Sequence, residues 1–464
     1  MFKKIEIWIL YLVIWCAIVF AIFFGVLVRQ EIEGSVKFGL FSKGALFLAK
    51  VPMNVKKIFQ KVKDPGIDSS VGSRFPGKIG FKGISSEVPY YLLLSRYNGD
   101  LSESTVELID LKSFKIIHTW NPKINEINNL IDTEKEEYKN LKRNLNEQRY
   151  LIQSPIVNDK AELIFHENGS ALKKIDSCNN LIWINDKFHF HHMSEEDFEG
   201  NYWIPSRIFP FSLSKEMVGE NYGDFFDDAI TKISDQGKVL FQKSVAQIFL
   251  ENNLDYLLFT NQIFNGDPIH LNDIQPTKEN TSYWKKGDIF LSLRSQSMII
   301  LYRPSEEKII EIITGPFINQ HDVDIISEKE ISIFNNNTFF YKGKRIKGGN
   351  LHFDGNAITK TSEVLIYNFE TRRFKKKFEN GLKMNDVNTS VQGLAEIVNE
   401  KLFIEESQSG RLLFFDKKGK LLWEYVNKAK NQKNYILGFS KLLYDNVRVE
   451  KILKALKKNK CQNY

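Results

Sequence analysis

Three histidines of this chain stand at matching places in short strand-like phrases, and together they have the chemistry to bind and handle a small oxyanion. His270 and His321 each open the phrase His-x-x-Asp-Ile, and His192 falls at the equivalent place in Phe190-His191-His192-Met193-Ser194-Glu195. The chain has only eight histidines, so three at one repeat position is a concentrated use of them. A fourth copy, Val391-Gln392-Gly393-Leu394-Ala395-Glu396-Ile397, keeps Gln392 where Gln320 stands but carries Gly393 in place of the histidine. Asn272 lies two residues after His270, and Arg294 comes one strand later. Imidazoles, an amide and a guanidinium brought to one point make a cationic, hydrogen-bonding pocket suited to trigonal or tetrahedral oxygens. Residues so far apart meet only if the repeats are arranged radially, so that equivalent positions converge on one axis.

A second periodicity supplies the elements for such an arrangement. Alternating apolar runs joined by short polar turns occur at Thr105–Asp110 with Ile116–Trp120, Ala171–Asp176 with Leu181–Trp183, and Ala229–Asp235 with Val239–Phe241. They recur at Met298–Tyr302 with Ile309–Ile313, Val364–Tyr367 with Phe374–Phe378, and Leu412–Asp416 with Leu421–Tyr425. Each reads as a β-hairpin, and each is preceded by one or two further strand-like runs. The pattern predicts an all-β fold, a six-bladed β-propeller over residues 78–445. Pairing between Tyr435–Tyr444 and the Pro89–Arg96 region closes it; a solenoid or a pair of sandwiches is the alternative. The longest insertion, Ile124–Arg149, is rich in Glu, Lys, Leu and Asn and reads as a solvated helix.

The amino-terminal part has a different character. No charged residue occurs from Ile7 to Val28, a stretch of about 22 positions that as a helix crosses a hydrocarbon core of about 30 Å. Lys3 and Lys4 precede it and no small-x-small cleavage site follows, which predicts an uncleaved signal anchor, residues 1–34, with the body on the extracytoplasmic, periplasmic side. Residues 35–77 read as a basic amphipathic stem and linker, lying at the lipid surface or standing as a solvated stem. Residues 446–464 form a basic amphipathic tail that packs on the propeller or rejoins the membrane. Cys16 is within the span, and Cys178 and Cys461 are too distant in sequence to predict as a pair.

The phrases around the histidines resemble the bacterial arylsulfate sulfotransferase family, propeller enzymes that do not use the phosphoadenylyl donor. The resemblance is carried by Phe190-His191-His192 with Gly200-Asn201, Asp267-Pro268-Ile269-His270-Leu271-Asn272-Asp273, Gly287 to Arg294, and Gly315-Pro316-Phe317-Ile318-Asn319-Gln320-His321-Asp322. It implies a ping-pong transfer of a sulfuryl group from an aryl sulfate to a phenolic acceptor through a sulfohistidine. On this carry-over His321 is the nucleophile, and His192, His270, Asn272 and Arg294 bind the sulfuryl oxygens or assist proton transfer. His191 stands beside His192, and either is able to be the residue that faces the pocket. Neutral imidazole is a competent nucleophile near neutral pH, and donors aimed at the equatorial oxygens stabilise a loose transition state.

Other readings bound this one. Net charge is +7 over 464 residues, with acidic and basic residues interspersed and no basic stripe, so no nucleic-acid partner is expected. No Walker-type phosphate loop is present. Three imidazoles also suit zinc, but Arg294 in the same pocket repels a cation, and neither metal nor cofactor is expected. Asp273 and Asp324 read as structural, because i and i+3 on a strand point to opposite faces. His118, His166, His189 and His352 read as surface or satisfied core residues. A non-catalytic propeller that binds a polysaccharide, a lipid-linked intermediate or a partner protein is the alternative function.

Overall fold

The structure is a computed structural model that describes residues 6–32, 38–63, 71, 74–85, 90–132, 146–218, 225–259, 266–341, 356–459 and 461. The chain divides into two compact units, residues 1–67 and 68–464. The first contains an apolar helix, Ile7–Ile32, and a second helix, Gly39–Lys63. The segment Ile7–Gln30 has a mean hydropathy of 2.8, and by length and composition this one helix among the described residues suffices to cross a membrane.

The second unit is all-β and propeller-like. The six expected hairpins are present as adjacent antiparallel strand pairs, among them Glu103–Asp110 with Lys115–Trp120, Met298–Arg303 with Lys308–Thr314, and Arg411–Phe415 with Leu421–Val426. The second strand of a hairpin is the more exposed one, as in Lys308–Thr314, whereas its inner neighbour Met298–Tyr302 is buried throughout and reads as a continuous apolar run; Leu421–Val426, which is covered by a further strand, is the exception and is buried from Trp423 to Val426. Packing between sheets joins Trp203 and Ile230 to Leu271, Ile274, Leu291 and Ile300, and Leu92 and Tyr90 to Phe403, Phe414 and Trp423. Each such side chain contributes about 1.5–3 kcal/mol on burial.

Chain closure also occurs where it was expected. Lys441–Leu443 pairs antiparallel with Tyr91–Asn98, Tyr91 opposite Leu443, and completes the sheet of the first hairpin. The expectation of six separate four-stranded sheets is corrected. Four sheets of four or five strands stand apart, and the strands from Gln153 to Ser244 run on as one sheet of eight. The join is local: the ten-residue strand Leu181–Phe190 extends far enough for His189 and Phe190 to pair with Arg207 and Ser206. A strand the sequence did not suggest, Gly80–Gly83, adds to the outer edge of the last sheet beside Leu421–Val426.

Neighbouring sheets are latched at their first strands by side-chain oxygens. Asp228 accepts from the Leu271 N–H at 2.8 Å, Asp273 from Val323 at 3.2 Å, and Asp322 from Ala395 at 2.9 Å. Each latch fixes the strand that begins directly after a histidine or its counterpart, which is how the scaffold sets the histidines' positions.

The segment before the sheets is also anchored. Arg74 donates to the Asn388 carbonyl at 2.7 Å and to buried Glu406 at 3.1 Å, and Phe75 lies under the Arg411 guanidinium at 4.1 Å. At the other end, the helix Asn446–Lys458 is capped by Asp445 and buries Val449 and Ile452; beyond it Cys461 is disulfide-bonded to Cys178. The tail therefore packs on the sheets, and the two cysteines pair across 283 residues. Of the long insertion, residues 124–132 and 146–149 are described and include a short helix, Ile124–Asn128; 133–145 lie outside the described residues, as do His352 and Pro89.

Candidate active site

His192, His270 and His321 come together. The His192 ring centroid lies 5.2 Å from that of His270 and 6.2 Å from that of His321. His192 and His270 both have left-handed backbone, φ 59° and 52°, a conformation that costs energy for a residue with a side chain and turns the chain sharply into the following strand. His321 arrives differently: the left-handed residue there is Asn319, φ 55°, two positions earlier. The three phrases match in sequence, but His321 is delivered by another turn.

The tautomer of each ring follows from its partners. Asn336 donates its amide N–H groups to the carbonyls of Thr389 at 3.0 Å and Gln392 at 2.7 Å, so its oxygen accepts from His321 Nδ1–H at 2.6 Å. The lone pair of His321 therefore sits on Nε2, where the Gln392 backbone N–H donates to it at 2.9 Å. Burial, with Arg294 adding to it, lowers the His321 pKa to about 3, and the ring is neutral at physiological pH.

His191 and His192 are distinguished by the same logic. His191 Nε2 is 3.2 Å from Asp228 Oδ1, and a carboxylate only accepts, so Nε2 carries the hydrogen. His191 Nδ1 then accepts from His192 Nδ1 at 2.7 Å, which leaves the lone pair of His192 on Nε2. Burial lowers the pKa of both. His192 is the one beside the other two rings, and His191 is the link from it to Asp228.

His270 is held by Asp267, whose Oδ2 is 2.5 Å from Nδ1. Burial raises the Asp267 pKa, but His270, Arg207 and Arg294 outweigh this and hold it down to about 2. Arg294 Nη1 lies 3.2 Å from Nε2 and 3.3 Å from Nδ1 of His270, so it lies across the ring instead of on one lone pair. Asn272 is fully buried and donates to the Gln320 carbonyl at 2.8 Å, tying the His270 strand to the loop before His321.

The fourth copy has a physical reason for its glycine. Gly393 has φ 91°, and a Cβ there would meet the Glu405 carbonyl at 2.8 Å and the Phe334 ring at 2.9 Å. A histidine has no room, and the neighbouring Gln392 instead presents its N–H to His321.

Several residues of the site carried no usable sequence signal. Asp267 lies three residues before His270, close enough for a turn to join them, but Asp228, Arg207 and Asn336 come from other strands or loops. Asp273 and Asp324 are not functional equivalents: Asp273 is a latch, and Asp324 lines a cavity of about 340 Å³ with Glu195, Glu396 and Lys441 that includes none of the histidines. His166 is buried against Ser194, and His118 stacks edge-on to Trp120. Among the described residues no three His, Cys, Asp or Glu side chains are placed to hold a metal ion.

The profile of the arylsulfotransferase (ASST) family matches residues 156–428, more than half of the chain, a range that includes His192, His270, Asn272, Arg294 and His321. No curated protein matches the sequence. Solved structures resemble it remotely. A protein of unknown function from Bacteroides caccae has 12% identity and a TM-score of 0.44, over 77% of this chain and 100% of that one. Virginiamycin B lyase from Staphylococcus aureus has 9% identity and a TM-score of 0.34, over 61% and 72%.

Proposed function

Since this chain belongs to the arylsulfotransferase family, we propose that it transfers a sulfuryl group from an aryl sulfate to a phenolic acceptor through a sulfohistidine at His321. The observation that carries the reading is the neutral His321, whose Nδ1–H is held by Asn336 and whose lone pair is on Nε2. In the first half-reaction the Nε2 pair forms an N–S bond as the S–O(aryl) bond breaks, and the phenolate leaves with that electron pair. In the second, the acceptor's phenol oxygen forms an S–O bond as the N–S bond breaks, and the phenolic proton passes to the Nε2 lone pair of His192. Arg294 and His270 face the sulfuryl oxygens, and Asp267 keeps that pair oriented. Attack requires the Gln392 N–H to leave Nε2. Asn272 acts by positioning the two loops.

The blade count and the location belong to the same proposal. Six blades are supported if the eight-stranded sheet is divided at its join between Leu181–Phe190 and Tyr202–Arg207, where only two residue pairs hold the halves together. A body outside the cytoplasm, anchored by Ile7–Ile32, is supported by the Cys178–Cys461 disulfide, since such bonds persist in oxidising compartments.

One observation favours a second reading. The Gln392 N–H already occupies the His321 lone pair, as expected of a non-catalytic propeller that keeps the pocket to bind a polysaccharide, a lipid-linked intermediate or a partner protein. Full-length protein in detergent, given 4-nitrophenyl sulfate and phenol, separates the two. The transfer reading expects nitrophenol release that is lost in His321→Ala, and an acid-labile sulfuryl mass on His321. No release from the intact chain, or equal release from the variant, rejects it.

A further inference from the structure

Arg207, whose charge helps to hold Asp267 ionised, has no part in the transfer steps proposed above. It ends the strand Tyr202–Arg207, its side chain is 22% exposed, and its Nε is buried without a hydrogen-bond partner among the described residues. It stands against the Phe226 ring, 4.0 Å from the guanidinium carbon, and Asp228 Oδ1, 3.6 Å from Nε, and its charge also acts on Asp267. Stacking on a ring engages the face of a guanidinium and leaves its in-plane N–H groups pointing outward. Asp228 meets the guanidinium only in part: it is ion-paired to Nε at 3.6 Å without a hydrogen bond, and the same Oδ1 also faces His191 Nε2 at 3.2 Å. A mostly buried guanidinium whose Nε makes no hydrogen bond, and whose one carboxylate ion-pair partner among the described residues stands at 3.6 Å, has donor capacity left for an anion.

Its surroundings say what carries that anion. Phe226, the ring against the guanidinium, is 39% exposed, and Phe209, two residues along the chain from Arg207, is 42% exposed. Phe226 is tied to the histidines, because its N–H donates to the Gly266 carbonyl directly before Asp267. Arg207 is separated from His192 by a row of contacts, 3.6 Å to Asp228, 3.2 Å on to His191 and 2.7 Å on to His192. A group on Arg207 is thus distinct from a sulfuryl group held among the three rings. A planar carboxylate matches the fork, and the phenylalanines offer a ring a surface to stack on.

We propose that Arg207 and Phe226 form a second anion subsite that takes a carboxylate borne on the aromatic ring of the substrate, so that the preferred substrates are hydroxybenzoate-like. The inference rests on the aryl-transfer reading for the substrate's ring, and its test is kept separate by measuring binding. Full-length protein in detergent is titrated calorimetrically with 4-hydroxybenzoate and with phenol. Wild type binds 4-hydroxybenzoate at least about tenfold more tightly, the scale of one charge-assisted fork. In Arg207→Gln the preference drops to less than about twofold, and Arg207→Lys, which keeps the charge without the fork, is intermediate. Equal binding by wild type, or a preference that survives in a folded Arg207→Gln or is undiminished in Arg207→Lys, overturns the subsite. Nitrophenol release from 4-nitrophenyl sulfate is scored on its own. A protein that shows the Arg207-dependent preference but releases no nitrophenol keeps the subsite and loses the transfer reading.

Discussion

Replacing Asn336 by Asp changes one atom pair beside His321 and reverses the logic of its protonation. In wild type the buried ring has a pKa of about 3, and the side chain that accepts from Nδ1 is an uncharged amide at 2.6 Å. At pH 5 such a ring is about 99% neutral, whereas an ordinary histidine is about 3% neutral. A carboxylate at 336 faces the Nδ1–H with a full negative charge and raises the pKa by about 1–3 units. At the upper end the neutral fraction at pH 5 falls to about a tenth. The assay is kcat/KM for 4-nitrophenyl sulfate from about pH 4.5 to about 8.5, which reports ionisations of the free enzyme, with a leaving group that needs no proton. Wild type is expected to show no acidic limb from His321 in this range, and Asn336→Asp to lose activity below about pH 6. The variant also cannot donate to the Thr389 and Gln392 carbonyls, which costs about 2–5 kcal/mol of stability. A wild-type limb near the ordinary histidine pKa, or an unchanged limb in a folded Asn336→Asp, refutes the reasoning.

Three further outcomes follow from the same geometry. Gly393→Ala puts a Cβ 2.8 Å from the Glu405 carbonyl at a φ of 91°, and it should cost about 1–3 kcal/mol in denaturant unfolding. Cys461→Ser should lower stability by about 2–5 kcal/mol, seen as a reduced Tm that added reductant does not reduce further, while reductant lowers the wild-type Tm toward the variant's. Arg294→Lys keeps the charge but cannot lie flat across His270, and kcat/KM should fall about 10–100-fold, a loss of about 1.4–3 kcal/mol in transition-state binding.

The hairpins were legible because alternation is local. Thr105–Asp110 and Ile116–Trp120 state their pairing within sixteen positions, and the apolar span Ile7–Val28 states its length in the same way. His192, His270 and His321 were legible for a related reason, since a repeated unit places its first residue at the same end of each sheet. Matching phrases do not give backbone dihedral angles, and the left-handed residue at Asn319 shows that His321 reaches the pocket by a turn of its own.

What only the tertiary structure decided lies between sheets. Whether His191 or His192 faces the other rings depends on Asp228 and Arg207, which belong to other strands, and the nitrogen that carries the His321 lone pair depends on an amide fifteen residues away, fixed by two carbonyls further on. Cys178 and Cys461, silent at a separation of 283 residues, meet because the final helix folds back over the sheets. A one-dimensional pattern encodes which residues alternate and which units repeat. The distances that make a ring neutral, leave a guanidinium nitrogen without a hydrogen bond, or leave room only for a glycine are set by the path of the backbone, and that path is determined by all the sheets packing together.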